Sequence, residues 1–266
     1  VGVEVSWRSL VVGGLRFHSI VLDRPALRVQ RSPDGTFRVA GIEIRPEGDS
    51  ASGSGMGDWL LRQGELVISG GSIEWIDEER GAPPLTLTDV GFRLVNEITG
   101  VHRFALKAIP PPALASAIDV RGQFRGDLPG SLSHVRGELF AAMQYANLAG
   151  WKAWVDYPFA ITDGRGAMRI WSALEDGKIT EATADVALGN VRVQFAADLP
   201  VLALDSVEGR LGVREIRKGL GFLGLSTRQT SGYRVFGENV TLALAPDVRP
   251  SPTSFTLQWE RKPGAD

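Results

Sequence analysis

The chain has 266 residues, 43% hydrophobic and 23% charged, and its 29 basic against 31 acidic side chains leave a formal net charge of −2. That balance supplies no basic stripe for nucleic acid. With no cysteine there is no disulfide frame, no thiolate nucleophile and no Cys-based metal site, a usage that fits cytoplasm or a Cys-poor bacterial periplasm equally.

The length suits one large β domain or two small ones. Glycine, at 32 residues, is frequent in the way of turn-rich β proteins. No apolar run approaches the ~20 residues of a spanning helix. The chain opens Val-Gly-Val-Glu-Val-Ser-Trp, with neither Met nor signal peptide, and reads as one segment, residues 1–266, of something longer.

Alternation dominates from the start. Leu27 and Val29 alternate with Arg28 and Gln30, Phe37 and Val39 flank Arg38, and Ile42 and Ile44 flank Glu43, with a Pro-Asp-Gly turn at 33–35. Residues 46–57 have loop composition and are expected to be mobile. Asp58 to Gln63 could form one helical turn. In 64–79, GELVISGGSIEWIDEE, Leu66 and Ile68 occupy even positions, whereas Ile73 and Trp75 occupy odd ones. Strand side chains repeat every two residues, so this shift sends the second pair to the opposite face unless a turn or bulge intervenes. The Ser-Gly-Gly at 69–71 supplies such a bend.

Further on, PPP at 110–112 is a rigid connector. Ile118, Val120 and Phe124 face one way and Asp119, Arg121, Gln123 and Arg125 the other. Asn147 caps a short helix predicted over 147–157, with Leu148, Trp151 and Val155 on one face and Pro158 beyond it. Turns are expected at 163–164, 175–177 and 188–190. Val191, Val193 and Phe195 alternate with Arg192 and Gln194; Val207, Leu211 and Val213 with Glu208, Arg210 and Arg214; Phe255, Leu257 and Trp259 with Thr256, Gln258 and Glu260. The apolar GLGFLGLST at 219–227 reads as a buried strand or loop, or as a loop touching a membrane surface. Roughly a dozen or more mostly antiparallel strands result.

Candidate chemistry is sparse. His18, His102 and His134 are scattered without metal-ligand spacing. Asp77, Glu78 and Glu79 could serve glycoside hydrolysis as paired carboxylates, but their contiguity beside Arg80-Gly81 favours a solvated hairpin. SGSGMG lacks the Lys-Ser/Thr of a phosphate loop, and no GxSxG occurs. No catalytic residue, metal site or cofactor is predicted, and the protein is not expected to be an enzyme. Trp151 and Trp154 pack the helix on the sheet or line a rim that touches a ligand.

A sheet of this many strands rarely stays open and flat. It can close into a β-sandwich with a filled core, making a structural or interaction module. It can instead curl into a trough, whose exposed apolar face needs an apolar guest. A carbohydrate-active β protein using Trp platforms and the Asp77 cluster is a third possibility.

The segments LDRPALRVQRSPDGTFRVAGI (22–42), DWLLRQGELVISGGSIEWID (58–77), HRFALKAIPPPALASAIDVRGQFRG (102–126), LAGWKAWVDYPFAITDGRGAMRIW (148–171) and PSPTSFTLQW (250–259), in this order, resemble the YhdP branch of the AsmA-like/TamB family of Gram-negative envelope proteins. The resemblance implies an all-β fold: a long, twisted, mostly antiparallel sheet curled into an elongated groove, with one or two short helices. It further implies a periplasmic conduit, tethered to the inner membrane by an N-terminal helix absent here, that conveys phospholipid towards the outer membrane. Envelope proteins would be partners at either end, and no cofactor or catalytic motif is carried over. On this reading Leu66, Ile68, Ile118, Val120, Phe124, Val191, Val193 and Phe195 line the groove, while Arg121, Gln123, Arg125, Arg192 and Gln194 face water.

Overall fold

The computed structural model describes residues 2–5, 17–39, 41–44, 63–97, 99–125, 135–157, 159–176, 178–220, 227–248 and 250–260. The expected loop at 46–57, His134, Pro158 and residues 221–226 of the GLGFLGLST stretch lie outside the described residues, as does all of the 58–63 turn except Gln63.

The described residues form one 15-stranded sheet. Its strands are β1 (Gly2–Val5), β2 (Phe17–Asp23), β3 (Ala26–Arg31), β4 (Phe37–Val39), β5 (Ile42–Ile44), β6 (Glu65–Asp77), β7 (Leu85–Asn96), β8 (Val101–Ile109), β9 (Ile118–Arg125), β10 (Arg136–Asn147), β11 (Ala160–Glu175), β12 (Lys178–Gln194), β13 (Leu202–Leu220), β14 (Thr227–Ala243) and β15 (Thr253–Glu260). From β6 to β15 each strand pairs antiparallel with the next. β2 and β3 run parallel to the first and second halves of β6, so they are two pieces of one interrupted strand. The interruption falls at Arg24, where φ is 46°, opposite the bend in β6.

This is the long, mostly antiparallel sheet expected, and it does not close on itself. β15 ends the path on one side and β5 on the other, and among the described residues they do not pair. The alternative of a closed β-sandwich is therefore not adopted. The accessible surface is 17,014 Å², whereas a compact protein of 28.7 kDa exposes about 11,000 Å².

Register explains how one face stays apolar along strands of up to 19 residues. Directly opposed residues share a face. In β6, Leu66 and Ile68 oppose Leu94 and Phe92, and beyond a register shift Gly71 and Ile73 oppose Val90 and Leu87. Even and odd positions thus lie on one face, because Gly70 adopts φ 61° and takes up the extra residue. The same device recurs along the sheet. β7 slips at Asp89 (φ 47°), β12 at Asn190 (φ 53°) and β14 at Asn239 (φ 50°). Asp and Asn tolerate this left-handed conformation better than other residues with a Cβ. Each slip coincides with a parity change in the apolar set: Leu87 to Val90, Leu188 to Val191, Val235 to Val240. Such bulges also bend a strand and increase its twist, which curls the sheet.

Two expected turns are corrected by these slips. Asp163-Gly164 and Leu188-Gly189-Asn190 are bulges inside β11 and β12, not reversals, because both flanks keep pairing with the same neighbours. The turn at 33–35 stands where expected, between β3 and β4; of the turn expected at 175–177, Gly177 lies outside the described residues, and Glu175 ends β11 while Lys178 begins β12.

Replacing Gly70 by Val should destabilise the protein by roughly 1–3 kcal/mol, since a β-branched side chain is strained at positive φ. Gly91→Val is the control. A Cβ there meets nothing within 4 Å, so its effect should stay within about 0.5 kcal/mol. Urea midpoints of the two variants check this.

Candidate functional site: the apolar face

Carrying the register across the sheet separates two surfaces. Rows of opposed residues such as Leu66, Leu94 and Phe104, or Leu106, Val120, Ala141 and Ile170, make one face almost entirely apolar. Rows such as Lys107, Asp119, Ala142, Arg169, Asp185 and Arg210 make the other charged.

Leu66, Ile68, Ile118, Val120, Phe124, Val191 and Val193 all fall on the apolar face. Phe195 stands just past β12, and its ring meets Phe159 edge-on at 5.6 Å. Arg121, Gln123, Arg125 and Arg192 fall on the charged face. Gln194 turns back and donates to the carbonyls of Ala197 and Leu199.

The apolar face differs in exposure along its length. Beneath the β10–β11 connector it is closed: Val191 and Val193 are 7% and 6% exposed and cluster with Leu148, Ile161, Leu188, Leu204 and Val207. At β14 and β15 it is open. Tyr233, Leu242, Phe255, Leu257 and Trp259 all face the same way and are exposed, Leu257 to 60% and Trp259 to 53%. Sequence reasoning named none of these as lining, although the alternation in β15 was visible. The missing signal was the parity slip at Asn239, which puts Val240 and Leu242 on the face of Val235 and Tyr233.

The connector itself is a strap. Its helix, α1 (Leu148–Trp151), is one turn long rather than the 147–157 expected from periodicity. Asn147 caps it by accepting from the Gly150 amide. Gly150 is a poor helix former, and so short a helix cannot sustain itself. The following residues are instead drawn towards tertiary partners. The Trp151 indole donates to the Leu114 carbonyl and the Trp154 indole to the Pro83 carbonyl, each at 3.1 Å, and the Tyr157 hydroxyl donates to the Leu148 carbonyl. Arg80 reaches Asp156 at 2.6 Å, and this hydrogen bond holds the Asp156 carboxyl below the usual carboxylate range. The strap thus ties the β10–β11 connection to the β6–β7 turn. Burial of the Tyr157 phenol raises its pKa.

Polar groups border the apolar rows. At one edge the Asn96 side chain bonds His102, whose ring stacks on Phe124 at 4.9 Å. Farther across the sheet, Arg217 is held between Glu215 and Glu175. At the other edge Asp77, 4% exposed at its side chain, accepts from the Arg80 amide and lies 3.8 Å from Arg31 and 3.7 Å from Arg80. Asp77 is therefore a buried ion-pair member, not part of a solvated hairpin. Its burial follows from its position at the end of the apolar face of β6. Glu78 and Glu79 accept from Gln30 and Arg31. His18 is exposed and far in sequence from His102. Among the described residues no group of three His, Cys, Asp or Glu could hold a metal ion, and no helix is long and apolar enough to cross a membrane.

A long open β-sheet with one apolar and one charged face defines the class of the protein: an elongated all-β groove. The family model for YhdP protein matches residues 1–265, and the chain belongs to that family. Membership points to a lipid-related role in the cell envelope, and the family is not known for enzymatic activity. No curated protein and no solved structure matches the chain.

Leu148→Ala should cost about 2–5 kcal/mol, because it removes a buried side chain from the closed end of the face. Leu257→Ala should change stability by less than about 0.5 kcal/mol. Thermal or urea unfolding of both variants checks the contrast.

Proposed function

We propose that this chain is a segment of a phospholipid conduit, in which acyl chains lie on the apolar face of β6–β15 and head groups ride at the polar edges. The observation that carries the reading is the exposed row Tyr233, Leu242, Phe255, Leu257 and Trp259 on the same face as the buried cluster. A contiguous apolar surface left open in a water-soluble segment calls for an apolar occupant. Leu66, Ile68, Ile118, Val120, Phe124, Val191, Val193 and Phe195 belong to this face or its margin, with Val191 and Val193 supporting it from beneath the strap.

Each acyl CH₂ exposed to water costs roughly 0.8 kcal/mol, so a two-chain lipid needs a dry path across an aqueous gap. Valine, leucine, isoleucine and phenylalanine spread along antiparallel strands offer many similar shallow contacts, without a deep trap. The charged face keeps the outside of the sheet hydrated. In this reading the full-length protein is tethered to the inner membrane, crosses the periplasm and passes phospholipid towards the outer membrane, with envelope partners at its ends. The groove sets a path and not a direction.

The test is a paired measurement on Leu257→Asp. An open groove hydrates the carboxylate, so the melting temperature should stay near that of the parent while lipid recovered by solvent extraction of the purified protein falls sharply. A parent protein that never carries lipid, together with a large loss of stability in the variant, would contradict the conduit and favour a structural module.

A further inference from the structure

The charged face carries aromatic rings that the lipid path does not use. Phe140, Trp171 and Phe236 lie in one row across the strands, with Thr183 and Gly212 between the last two. Phe140 and Trp171 are neighbours, their ring centroids 5.4 Å apart, and Trp171 is 37% exposed. Phe236 lies flat on Gly212, where a Cβ would come within 2.2 Å of the ring Cζ. Glycine is required there, and the ring turns its other side outward. Two surface depressions, about 630 and 440 Å³, sit along this row, the first over Phe140 and Trp171 and the second beside Phe236.

We propose that this row is a binding site for a neutral glycan chain laid across the strands of the charged face. Aromatic platforms flanked by a few oriented polar groups suit sugar rings, which present C–H faces to the aromatics and hydroxyls to the sides. Acidic and basic side chains alternate along the row's flanks, and three of the arginines are ion-paired. Arg210 is bidentate to Asp185 at 2.6 and 2.9 Å, while its guanidinium stands 5.7 Å from the Trp171 ring. Arg214 pairs with Glu181 and Arg121 with Asp119, while Arg234 donates to the neutral Gln258 amide oxygen and shares the second depression with Glu238. Charges so interspersed leave little net field for a polyanion. Carboxylates and guanidinium groups held in fixed positions remain good partners for hydroxyls. An extended peptide is disfavoured because the row crosses the middle of the sheet, where backbone groups are already paired. An acyl chain is disfavoured because the aromatic row is one side chain wide between charged rows.

The test is calorimetric titration of the 266-residue chain with a panel of neutral oligosaccharides, including the hexamers of N-acetylglucosamine and of glucose, and with heparin as the charged control. At least one neutral hexamer should bind, and heparin should not. Trp171→Ala should weaken the neutral ligand at least about tenfold. Thr183→Glu, which fills the gap in the row without removing an aromatic, should do the same in a protein that still melts cooperatively. The absence of heat with every neutral hexamer overturns the proposal, as does binding untouched by Thr183→Glu or a preference for heparin. Lipid occupancy should be unchanged in Thr183→Glu, which separates failure here from failure of the conduit.

Discussion

A β-strand cannot keep one face apolar over many residues unless its sequence holds strictly to a period of two or its backbone absorbs the exceptions. This protein does the second. Where the apolar set changes parity, a residue in the left-handed conformation takes up the extra position, at Gly70, Asp89, Asn190 and Asn239. The continuous apolar face, the bend of the strands and the separation from the charged face all depend on those slips. Without them, one end of β6, β7, β12 and β14 would present its valines and leucines to the charged side.

The consequences for packing are uneven. A compact fold buries its apolar face against a second layer, but among the described residues only the β10–β11 strap covers the sheet. Under the strap, Leu148 meets Val191, Leu204 and their neighbours, and the face is a conventional core. Away from it, on β14 and β15, the same face is exposed. Among the described residues, burial concentrates in the strapped cluster, and Phe255, Leu257 and Trp259 stay exposed.

Much of this was legible in the sequence. Ile118 to Arg125 and Phe255 to Glu260 alternate cleanly, and the even-to-odd change around Ser69-Gly70-Gly71 disclosed the bulge in β6. The same change at Leu188-Gly189-Asn190 was read as a turn, because Gly-Asn is turn-like by composition and only pairing with β11 and β13 reveals a continuous strand. The helix at 147–157 was over-extended because Leu148, Trp151 and Val155 have helical spacing. The indoles of Trp151 and Trp154 are instead spent on carbonyls of distant loops, a tertiary demand that local periodicity does not record. Asp77 looked like a solvated acid because its burial depends on Arg31, which lies on a strand paired in parallel and remote in sequence.

The central claim is that lipid contacts follow the slipped parity of the strands. A photo-crosslinking amino acid placed singly at each position from Tyr233 to Leu242 in the full-length protein, within cells, tests it directly. Lipid adducts should form at 233, 235 and 237, then at 240 and 242, changing phase across Asn239. An unbroken period of two through 239 and 241, adducts on the charged side at 234, 236 and 238, or no lipid adduct at any position would contradict it.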